Sequence, residues 1–204
     1  MKTRWIVLLA IILTTSSALE LYAQKAEQVP VPVPPPTKKS DAPRRPDVVF
    51  VPTPQEAVDK MLEVAQLKKG DILYDLGCGD GRIVVTAAKK YGVKATGIDI
   101  DPKRVEESLE NVRTNGVAEL VTIKQGDIFQ EDISSANVVT LYLLPSLNVK
   151  LIPQLEKLKP GSRIVSYQFD MAGIKPKEVV RESYTIYKWV TPLERETNAG
   201  ASGR

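Results

Sequence analysis

Short apolar runs alternate with amphipathic stretches from residue 71 to residue 169 of the chain. The amphipathic stretches have the periodicity of helices, and the apolar runs between them have the length of strands. The predicted strands are DILYDLG, KATGIDI, LVTIKQGD, ANVVTLYLL and RIVSYQF; the predicted helices are RIVVTAAKKYG, PKRVEESLENVRTNG and SLNVKLIPQLEKLKPG. This alternation is typical of βαβ units, so the pattern predicts an α/β fold: a doubly wound, mostly parallel sheet with helices on both faces.

Further elements flank this alternation. Thr53, Pro54 and Glu56 have the sequence of a capping box, which predicts a helix that begins at Thr53 and ends at residues 68–70. The segment VVFV just before it is too apolar to be left in water, so we expect it to pack on the domain. The closing stretch ESYTIYKWV alternates with period two and follows its predecessor without a helix. We therefore expect it to form an antiparallel pair at the edge of the sheet.

The N-terminal quarter has a different composition. Residues 1–23 begin with two basic residues followed by an apolar run, which is the layout of a secretory signal peptide or an N-terminal membrane anchor. Residues 24–47 are so rich in proline that neither helix nor sheet can propagate, which predicts an extended linker. We predict the folded domain over residues 48–193 and a flexible tail over residues 194–204. We expect the protein to be membrane-associated or exported.

The composition narrows the chemistry. A length of 204 residues suits one domain with a substantial core, and we expect a monomer. The formal charge of +3 comes from interspersed residues of both signs, so no basic stripe for nucleic acid stands out. The chain has no histidine and one cysteine, Cys78, which excludes an intramolecular disulfide, a Cys/His zinc site and a histidine-containing triad. We therefore predict no metal site and a reaction without imidazole.

The stretch YDLGCGDGR, residues 74–82, places three glycines on alternate positions directly after a predicted strand. Such a turn brings the backbone close to a ligand at a helix N-terminus. A dinucleotide fingerprint needs G-x-G-x-x-G, but its third glycine position is Arg82 here, and the carboxylate of Asp75 repels phosphates and attracts a cation. S-adenosylmethionine fits these residues because it carries a sulfonium and an amino group and has no phosphate.

Two more acids follow at the ends of the next two predicted strands. Asp99 lies about 20 residues beyond the glycine turn, where a carboxylate can accept hydrogen bonds from both ribose hydroxyls. Asp127 can accept from an adenine amino group while Ile128 covers the ring. Because parallel strands end at one edge of a sheet and such folds bind ligands there, Asp75, Asp99 and Asp127 are predicted to converge on one ligand.

These motifs resemble a known class of enzymes. Residues from about 49 to 176 are similar to class I S-adenosylmethionine-dependent methyltransferases in DLGCGDG, GIDIDP and QGDI. More narrowly, FVPTP, DLGCGDGRIV, TLYLLP, LKPGSRIVS and FDM resemble the lysine methyltransferase family that includes the mitochondrial enzymes modifying the ATP synthase c-subunit and the adenine nucleotide translocase. The resemblance implies a seven-stranded Rossmann-like methyltransferase sheet, S-adenosylmethionine as cofactor and a protein lysine as acceptor. Members of this kind often carry an N-terminal hydrophobic segment and modify membrane proteins, so a membrane-embedded substrate is also implied.

The resemblance also implies roles for particular residues. At the methionine end of the cofactor it places Tyr74, Asp75, Gly77 and Gly79, with Thr53 in the FVPTP segment folding over that end. The ribose is expected at Asp99, and the adenine at Asp127 and Ile128. The end of the fourth strand faces the transferred methyl in this fold, which makes Tyr142 and Pro145 the candidates for positioning the acceptor. An aromatic residue in an apolar strand is core about as often as it is functional.

Other observations bear on the acceptor and on neighbouring residues. The Asn/Asp-Pro-Pro-Tyr motif of nucleic-acid and glutamine methylases is absent, which argues against a nucleic-acid substrate. Ile174 stands where the family usually has a tryptophan before Lys-Pro. Of Tyr167 and Phe169 in the last parallel strand, only one is expected to face the site. We expect Asp80 to favour a helix N-terminus and Asp101 to cap a helix. A small-molecule methyltransferase and a non-catalytic exported binding module with this fold are the alternatives.

Overall fold

The computed structural model describes residues 50–196. Its elements, in chain order, are α1 (Gln55–Val64), β1 (Ile72–Leu76), α2 (Arg82–Tyr91), β2 (Lys94–Asp99), α3 (Pro102–Thr114), β3 (Val121–Gln125), β4 (Val138–Leu141), α4 (Pro145–Leu155), β5 (Arg163–Tyr167), β6 (Glu178–Arg181) and β7 (Thr185–Val190). The predicted signal peptide or anchor over residues 1–23, the linker over residues 24–47 and most of the predicted tail lie outside the described residues. Within the described range, no helix is both long and apolar enough to cross a membrane.

The strands of the described region form one sheet with the order β3-β2-β1-β4-β5-β7-β6. β1 to β5 pair in parallel, and β7 pairs antiparallel with both β5 and β6. The predicted α/β fold, with a mostly parallel seven-stranded sheet and antiparallel pairing at its edge, is confirmed. The sequence pattern did not separate the four-residue strand β6, which takes the outermost position. The strand order reverses between β1 and β4, and open α/β sheets bind ligands at such a point.

Side chains on the two faces of the sheet form two hydrophobic clusters. α1, α2 and α3 cover one face, where Leu73 and Val138 of the central strands are buried. α4 covers the opposite face, and Tyr74 and Leu141 are buried there. Successive residues of a strand point to opposite faces, which is why Leu73 and Tyr74 belong to different clusters. Residues at the carboxyl ends of the strands lie beyond these clusters and are available to line a cleft.

The ends of two helices test the predicted caps. α1 begins at Gln55 with Pro54 as its N-cap residue, and no side chain caps it, so the capping box predicted for Thr53 is wrong. α1 also ends at Val64, before the predicted stop at residues 68–70. α3 begins as predicted: Oδ1 of Asp101 accepts a hydrogen bond of 2.9 Å from the backbone N–H of Lys103.

Candidate active site

A cleft with a cavity volume of about 270 Å³ lies at the carboxyl edge of the sheet, where the strand order reverses. The turns after β1, β2 and β3 form one side of it, and the turn after β4 forms the other. Seven of the ten site residues predicted from the sequence line this cleft: Thr53, Asp75, Gly77, Asp99, Asp127, Ile128 and Tyr142. The three acids converge as expected because the parallel strands that carry them end at one edge.

The glycine turn after β1 is held against the end of β2. The backbone N–H groups of Gly77 and Cys78 both donate to the carbonyl of Ile98, at 2.8 and 3.0 Å. Gly77 and Gly79 have φ values of 78° and 56°, in the left-handed region that favours glycine. A Cβ on Gly79 would lie only 2.0 Å from Cε2 of Phe50, so the turn has room for Phe50 only because this residue has no side chain.

Asp99 is oriented by backbone hydrogen bonds. Its Oδ2 accepts from the N–H of Gly79 at 2.8 Å, and its Oδ1 accepts from the N–H of Asp101 at 2.9 Å. Burial raises the pKa of Asp99, and these backbone hydrogen bonds oppose the rise. Each carboxylate oxygen keeps a further lone pair. The two oxygens are therefore held in place and can each accept one more hydrogen bond, as two ribose hydroxyls require.

Asp75 carries an unsatisfied carboxylate oxygen in the wall of the cleft. The residue is 2% exposed; its Oδ1 accepts from Oγ1 of Thr140 at 2.8 Å, and its Oδ2 has no hydrogen-bond partner among the described residues. Burial raises the pKa of Asp75 to about 7, against the effect of the Thr140 bond and with help from the charges of Asp99 and Asp80. A buried carboxylate oxygen without a partner fits a cation, and S-adenosylmethionine supplies two cationic groups.

We expect cofactor binding to depend on pH through Asp75. In the free protein its pKa of about 7 means that the carboxyl is largely protonated below pH 7, whereas a bound cation favours the charged form. The affinity for S-adenosylmethionine should therefore fall as the pH drops below 7, by up to about tenfold per pH unit, and level off above it. Calorimetric titrations from pH 5.5 to pH 8.5 measure this step. The Asp75→Asn variant should lack the step; an equal step in that variant would contradict the assignment.

The same pKa has a consequence for the stability of the free protein. Between about pH 4 and pH 7 the folded state keeps a proton on Asp75 that the unfolded chain releases. The contribution of this carboxyl to the free energy of unfolding therefore falls as the pH rises to about 7 and is constant above it. A bound cation removes this effect, so the stabilisation by S-adenosylmethionine should be larger at pH 8 than at pH 6.

Residues 50–53, which we call the strap, lie over the glycine turn. Nη1 of Arg82 donates to the carbonyl of Thr53 at 2.8 Å, while its Nη2 and Nε bind the carboxylate of Asp80 at 2.6 and 3.0 Å. The guanidinium of Arg104 lies 4.7 Å from the ring centroid of Phe50. In the sequence, Arg82 stands out only because it breaks the dinucleotide fingerprint. The fold uses it as a clasp, which the sequence alone did not indicate.

The predicted adenine end of the cleft lies beside β3. The N–H of Gly126 donates to the carbonyl of Asp99 at 2.9 Å, which ties the turn after β3 to the end of β2. Asp127 and Ile128 line the cleft as predicted, and Oδ1 of Asp127 accepts from the N–H of Phe129 at 3.0 Å. Phe129, which the sequence reasoning missed, also lines the cleft. The arrangement combines a carboxylate with apolar side chains, as a base with an amino group requires.

The opposite end of the cleft is aromatic. The half-buried ring of Tyr142 lines it, with Tyr167 packed against its edge at 4.7 Å and Phe169 lying nearly parallel to it at 6.1 Å. Phe169 also lines the cleft, whereas Tyr167 is buried in the core cluster of α1 to α3. Burial, and to a lesser extent Tyr167, raise the pKa of Tyr142. Its hydroxyl therefore stays protonated near neutral pH.

Three predicted site residues do not line the cleft. Tyr74 precedes Asp75 in β1, so the two side chains point to opposite faces of the sheet. The ring of Tyr74 packs on the face that α4 covers, and its hydroxyl lies 3.2 Å from Oγ of Ser135. Gly79 contributes through its N–H to Asp99, through its carbonyl, which accepts from Oγ of Ser108 at 2.7 Å, and through the space that it leaves for the strap. Pro145 is exposed as the first residue of α4, so direct contact with an acceptor in the cleft is not supported.

Two further positions, Ile174 and Cys78, are buried. Ile174 is buried in the cluster beneath α4, and its carbonyl accepts from Nε1 of Trp189 at 3.1 Å. The family's tryptophan position is therefore outside the cleft in this chain. Cys78 is buried, and burial, with the charges of Asp75 and Asp99, raises the pKa of its thiol. A thiol that stays protonated is a weak nucleophile, so Cys78 serves as a small residue in the turn rather than as a nucleophile.

Comparison with known proteins tests the resemblance. Residues 75–178 match the ANTKMT methyltransferase domain. The chain is 48% identical over 152 residues to a protein-lysine N-methyltransferase of Saccharolobus islandicus, covering 71% of this chain and 94% of that protein. It is 28% identical over 134 residues to the human lysine N-methyltransferase of the ATP synthase c-subunit, covering 64% of this chain and 57% of that protein. A crystal structure described as an RNA methyltransferase from Salinibacter ruber, in complex with S-adenosyl-L-homocysteine, superimposes with a TM-score of 0.69 and 51% identity, covering 72% and 97% of the two chains.

The sheet, the acid-lined cleft and these matches together define an S-adenosylmethionine-dependent methyltransferase. The chain belongs to the ANTKMT methyltransferase domain family. The resemblance inferred from DLGCGDGRIV, TLYLLP and the other motifs is thereby confirmed, and the alternative of a non-catalytic binding module is not supported.

Proposed function

We propose that this enzyme transfers the methyl group of S-adenosylmethionine to the side-chain amine of a lysine in a protein. The observation that carries the proposal is that one cleft contains two features: the unsatisfied buried oxygen of Asp75, and the aromatic rings of Tyr142 and Phe169. The first suits a cationic cofactor. The second suits a cationic acceptor, because aromatic faces attract ammonium groups. The names of the archaeal and human relatives, both lysine N-methyltransferases, agree with this acceptor.

Different residues of the cleft would hold different parts of the cofactor. Asp99 would hold the ribose, Asp127 and Ile128 the adenine, and Asp75 with the strap the methionine end. When bound, S-adenosylmethionine supplies a methyl group on a sulfonium, which is already activated for displacement. The protein must then align the amine and strip it of water, and such positioning contributes several kcal/mol to catalysis. Desolvation at this end of the cleft lowers the pKa of the ammonium that the rings attract, so lysine releases its proton to water more easily before the transfer.

The charges around the cleft favour a protein acceptor over a nucleic acid. Among the described residues, the cations that line the cleft are Arg82 and Arg104. Arg82 is paired with Asp80, and Arg104 contacts Phe50 and is paired with Glu107. Neither is left to neutralise a phosphate, which nucleic-acid binding requires. The mouth of the cleft instead exposes Val51 and Leu144, at 57% and 45% of their surface.

Location and substrate are extensions of this proposal. The apolar run near the N-terminus supports membrane association of the enzyme, or its export if residues 1–23 are cleaved, and a membrane-embedded protein as the substrate. We further propose that the enzyme acts as a monomer, since a chain of 204 residues suits one domain with a substantial core of its own. N-terminal sequencing of the protein from separated membrane and soluble fractions distinguishes an anchor from a cleaved peptide. Gel filtration at several concentrations tests the monomer.

The direct experiment uses the full chain and S-adenosylmethionine labelled in its methyl group. Membrane protein, soluble protein, RNA and small-molecule fractions of the source cell are supplied in turn as acceptors. We expect label in protein that survives acid and base and appears as methyllysine after hydrolysis. Label confined to RNA would support the activity for which the Salinibacter relative is described. Label confined to small molecules would keep the enzyme and overturn the acceptor.

Tyr142→Phe tests the acceptor end of the cleft. We expect turnover to fall about fivefold to tenfold, because the hydroxyl oxygen can accept a hydrogen bond from the amine and one such bond contributes about 1 kcal/mol. Cofactor affinity should not change, since the ring remains. Steady-state kinetics and calorimetry measure the two quantities. Turnover equal to that of the wild type would return Tyr142 to a packing role beside Tyr167.

A further inference from the structure

The turn that follows β5 is strained. Gln168 has φ = 65°, in the left-handed region that a residue with a side chain rarely adopts. Backbone hydrogen bonds hold it there: the N–H of Gln168 donates to the carbonyl of Thr185 at 2.7 Å, and the N–H of Phe169 donates to the carbonyl of Tyr167 at 2.8 Å. Strain of this kind persists only where the surroundings enforce it, and it is concentrated at functional sites.

Buried polar side chains grip the same turn. Oγ of Ser166 donates to the carbonyl of Phe169 at 2.6 Å, and Nδ2 of Asn148 donates to the carbonyl of Asp170 at 2.9 Å. Ser166 and Asn148 are both completely buried, although polar side chains are rarely placed there. They come from β5 and α4, so two elements of the fold cooperate to fix the position of one short turn.

The hydrogen bonds of Ser166 and Asn148 to this turn determine where the ring of Phe169 lies. Phe169 lines the cleft and lies 6.1 Å from Tyr142, with 19° between the two ring planes. Tyr167, at the end of β5, packs edge-on against Tyr142 and fixes that ring from the core. The turn therefore adds a second aromatic wall to the end of the cleft where the acceptor is expected. The roles given above to Asp75, Asp99, Asp127 and the strap concern the cofactor, and none of them accounts for this second ring.

We propose that Phe169 is an acceptor-binding residue that, with Tyr142, retains partly methylated lysine and so allows more than one methyl group to be added. This inference rests on the proposed function. Each round breaks the S–CH₃ bond of the cofactor, leaving the electron pair on a neutral thioether, and forms an N–C bond with the lone pair of the lysine nitrogen, which has first released a proton to water. Each added methyl group makes the resulting ammonium less hydrated, and aromatic faces bind such cations well.

The test uses full-length Phe169→Leu and the total protein fraction of the source cell as acceptor. After reaction, the protein is hydrolysed and mono-, di- and trimethyllysine are measured by mass spectrometry. For Phe169→Leu we expect the rate at low acceptor concentration to fall about fivefold to tenfold and the di- and trimethyl share to fall with it, at unchanged cofactor affinity. An unchanged product distribution in the variant, or monomethyllysine alone from the wild type, would overturn the inference. Absence of all methyllysine from the wild type would instead overturn the proposed function.

Companion variants separate binding from folding. Phe169→Tyr keeps an aromatic face and should keep the wild-type distribution. Ser166→Ala loosens the turn without removing the ring and should shift the distribution in the same direction as Phe169→Leu, by less. Tyr187→Leu is the matched control, because it also replaces an aromatic ring by leucine. The ring of Tyr187 does not line the cleft and stacks on Trp189, with 5.8 Å between the ring centroids. A shift as large in Tyr187→Leu as in Phe169→Leu would show a structural effect and overturn the proposal.

Discussion

Asp99→Ala is expected to weaken the binding of S-adenosylmethionine by about a hundredfold or more. The variant removes both carboxylate oxygens that face the expected ribose position, and hydrogen bonds to a charged group contribute about 1.5–3 kcal/mol each. It also deprives the N–H groups of Gly79 and Asp101 of their acceptors, so the glycine turn loses its attachment to the end of β2. Calorimetric titration with S-adenosylmethionine and with S-adenosylhomocysteine measures the loss.

Two further variants test whether the loss of one negative charge alone explains the effect of Asp99→Ala. Asp132→Ala removes an exposed carboxylate that does not line the cleft and should leave the affinity unchanged. Asp99→Asn keeps one oxygen acceptor and should have an intermediate affinity. If Asp99→Ala binds within a few-fold of the wild type, the ribose contact lies on another residue.

Gly79→Ala is expected to displace the strap. The new Cβ would lie 2.0 Å from Cε2 of Phe50, a distance that requires the ring to move, and φ at this position is 56°. Left-handed backbone costs about 1–2 kcal/mol for alanine, and forcing apart packed groups costs about 1–3 kcal/mol more. Because Phe50, Val51 and Thr53 of the strap line the cleft where the methionine end is expected, we expect cofactor affinity to fall by about tenfold or more, together with a lower free energy of unfolding.

Gly92→Ala provides the matched control for this variant. Gly92 has φ = 63°, and a Cβ there would meet nothing within 4 Å, so the substitution introduces similar backbone strain without a collision. It should lower the free energy of unfolding and leave cofactor affinity unchanged. The double variant Phe50→Ala/Gly79→Ala should recover part of the stability that Gly79→Ala alone loses. Equal affinity losses for Gly79→Ala and Gly92→Ala would show that the strap does not contribute to binding.

The convergence of the three acids in the cleft was predictable from the sequence because it depends on one topological rule. Hydrophobic periodicity located the strands, and in a parallel sheet every strand ends at the same edge. Any acid placed directly after an apolar run therefore reaches that edge, as Asp75, Asp99 and Asp127 do. The rule does not say which residue at the end of a strand has its side chain in the cleft. Tyr74, one position earlier than Asp75, points to the other face of the sheet.

The aromatic end of the cleft was less predictable because it depends on contacts between distant parts of the chain. Phe169 reaches the cleft through a left-handed residue and through Asn148, 21 residues earlier in the chain. Nothing in the alternation of residues 163–169 indicates a turn after Tyr167. Arg82 likewise clasps Thr53, 29 residues away. Pro145 was predicted from its place in a motif, but as the first residue of α4 it is exposed.

The sequence by itself determined the α/β class, the mostly parallel sheet, the glycine turn and the convergence of three acids. These follow from local periodicity and from the geometry shared by all parallel sheets. Only the tertiary structure decided the unsatisfied oxygen of Asp75, the clasp on the strap and the aromatic wall of Tyr142 and Phe169. Each of these depends on burial and on which side chains meet across the fold, and those quantities are properties of packing rather than of any short segment.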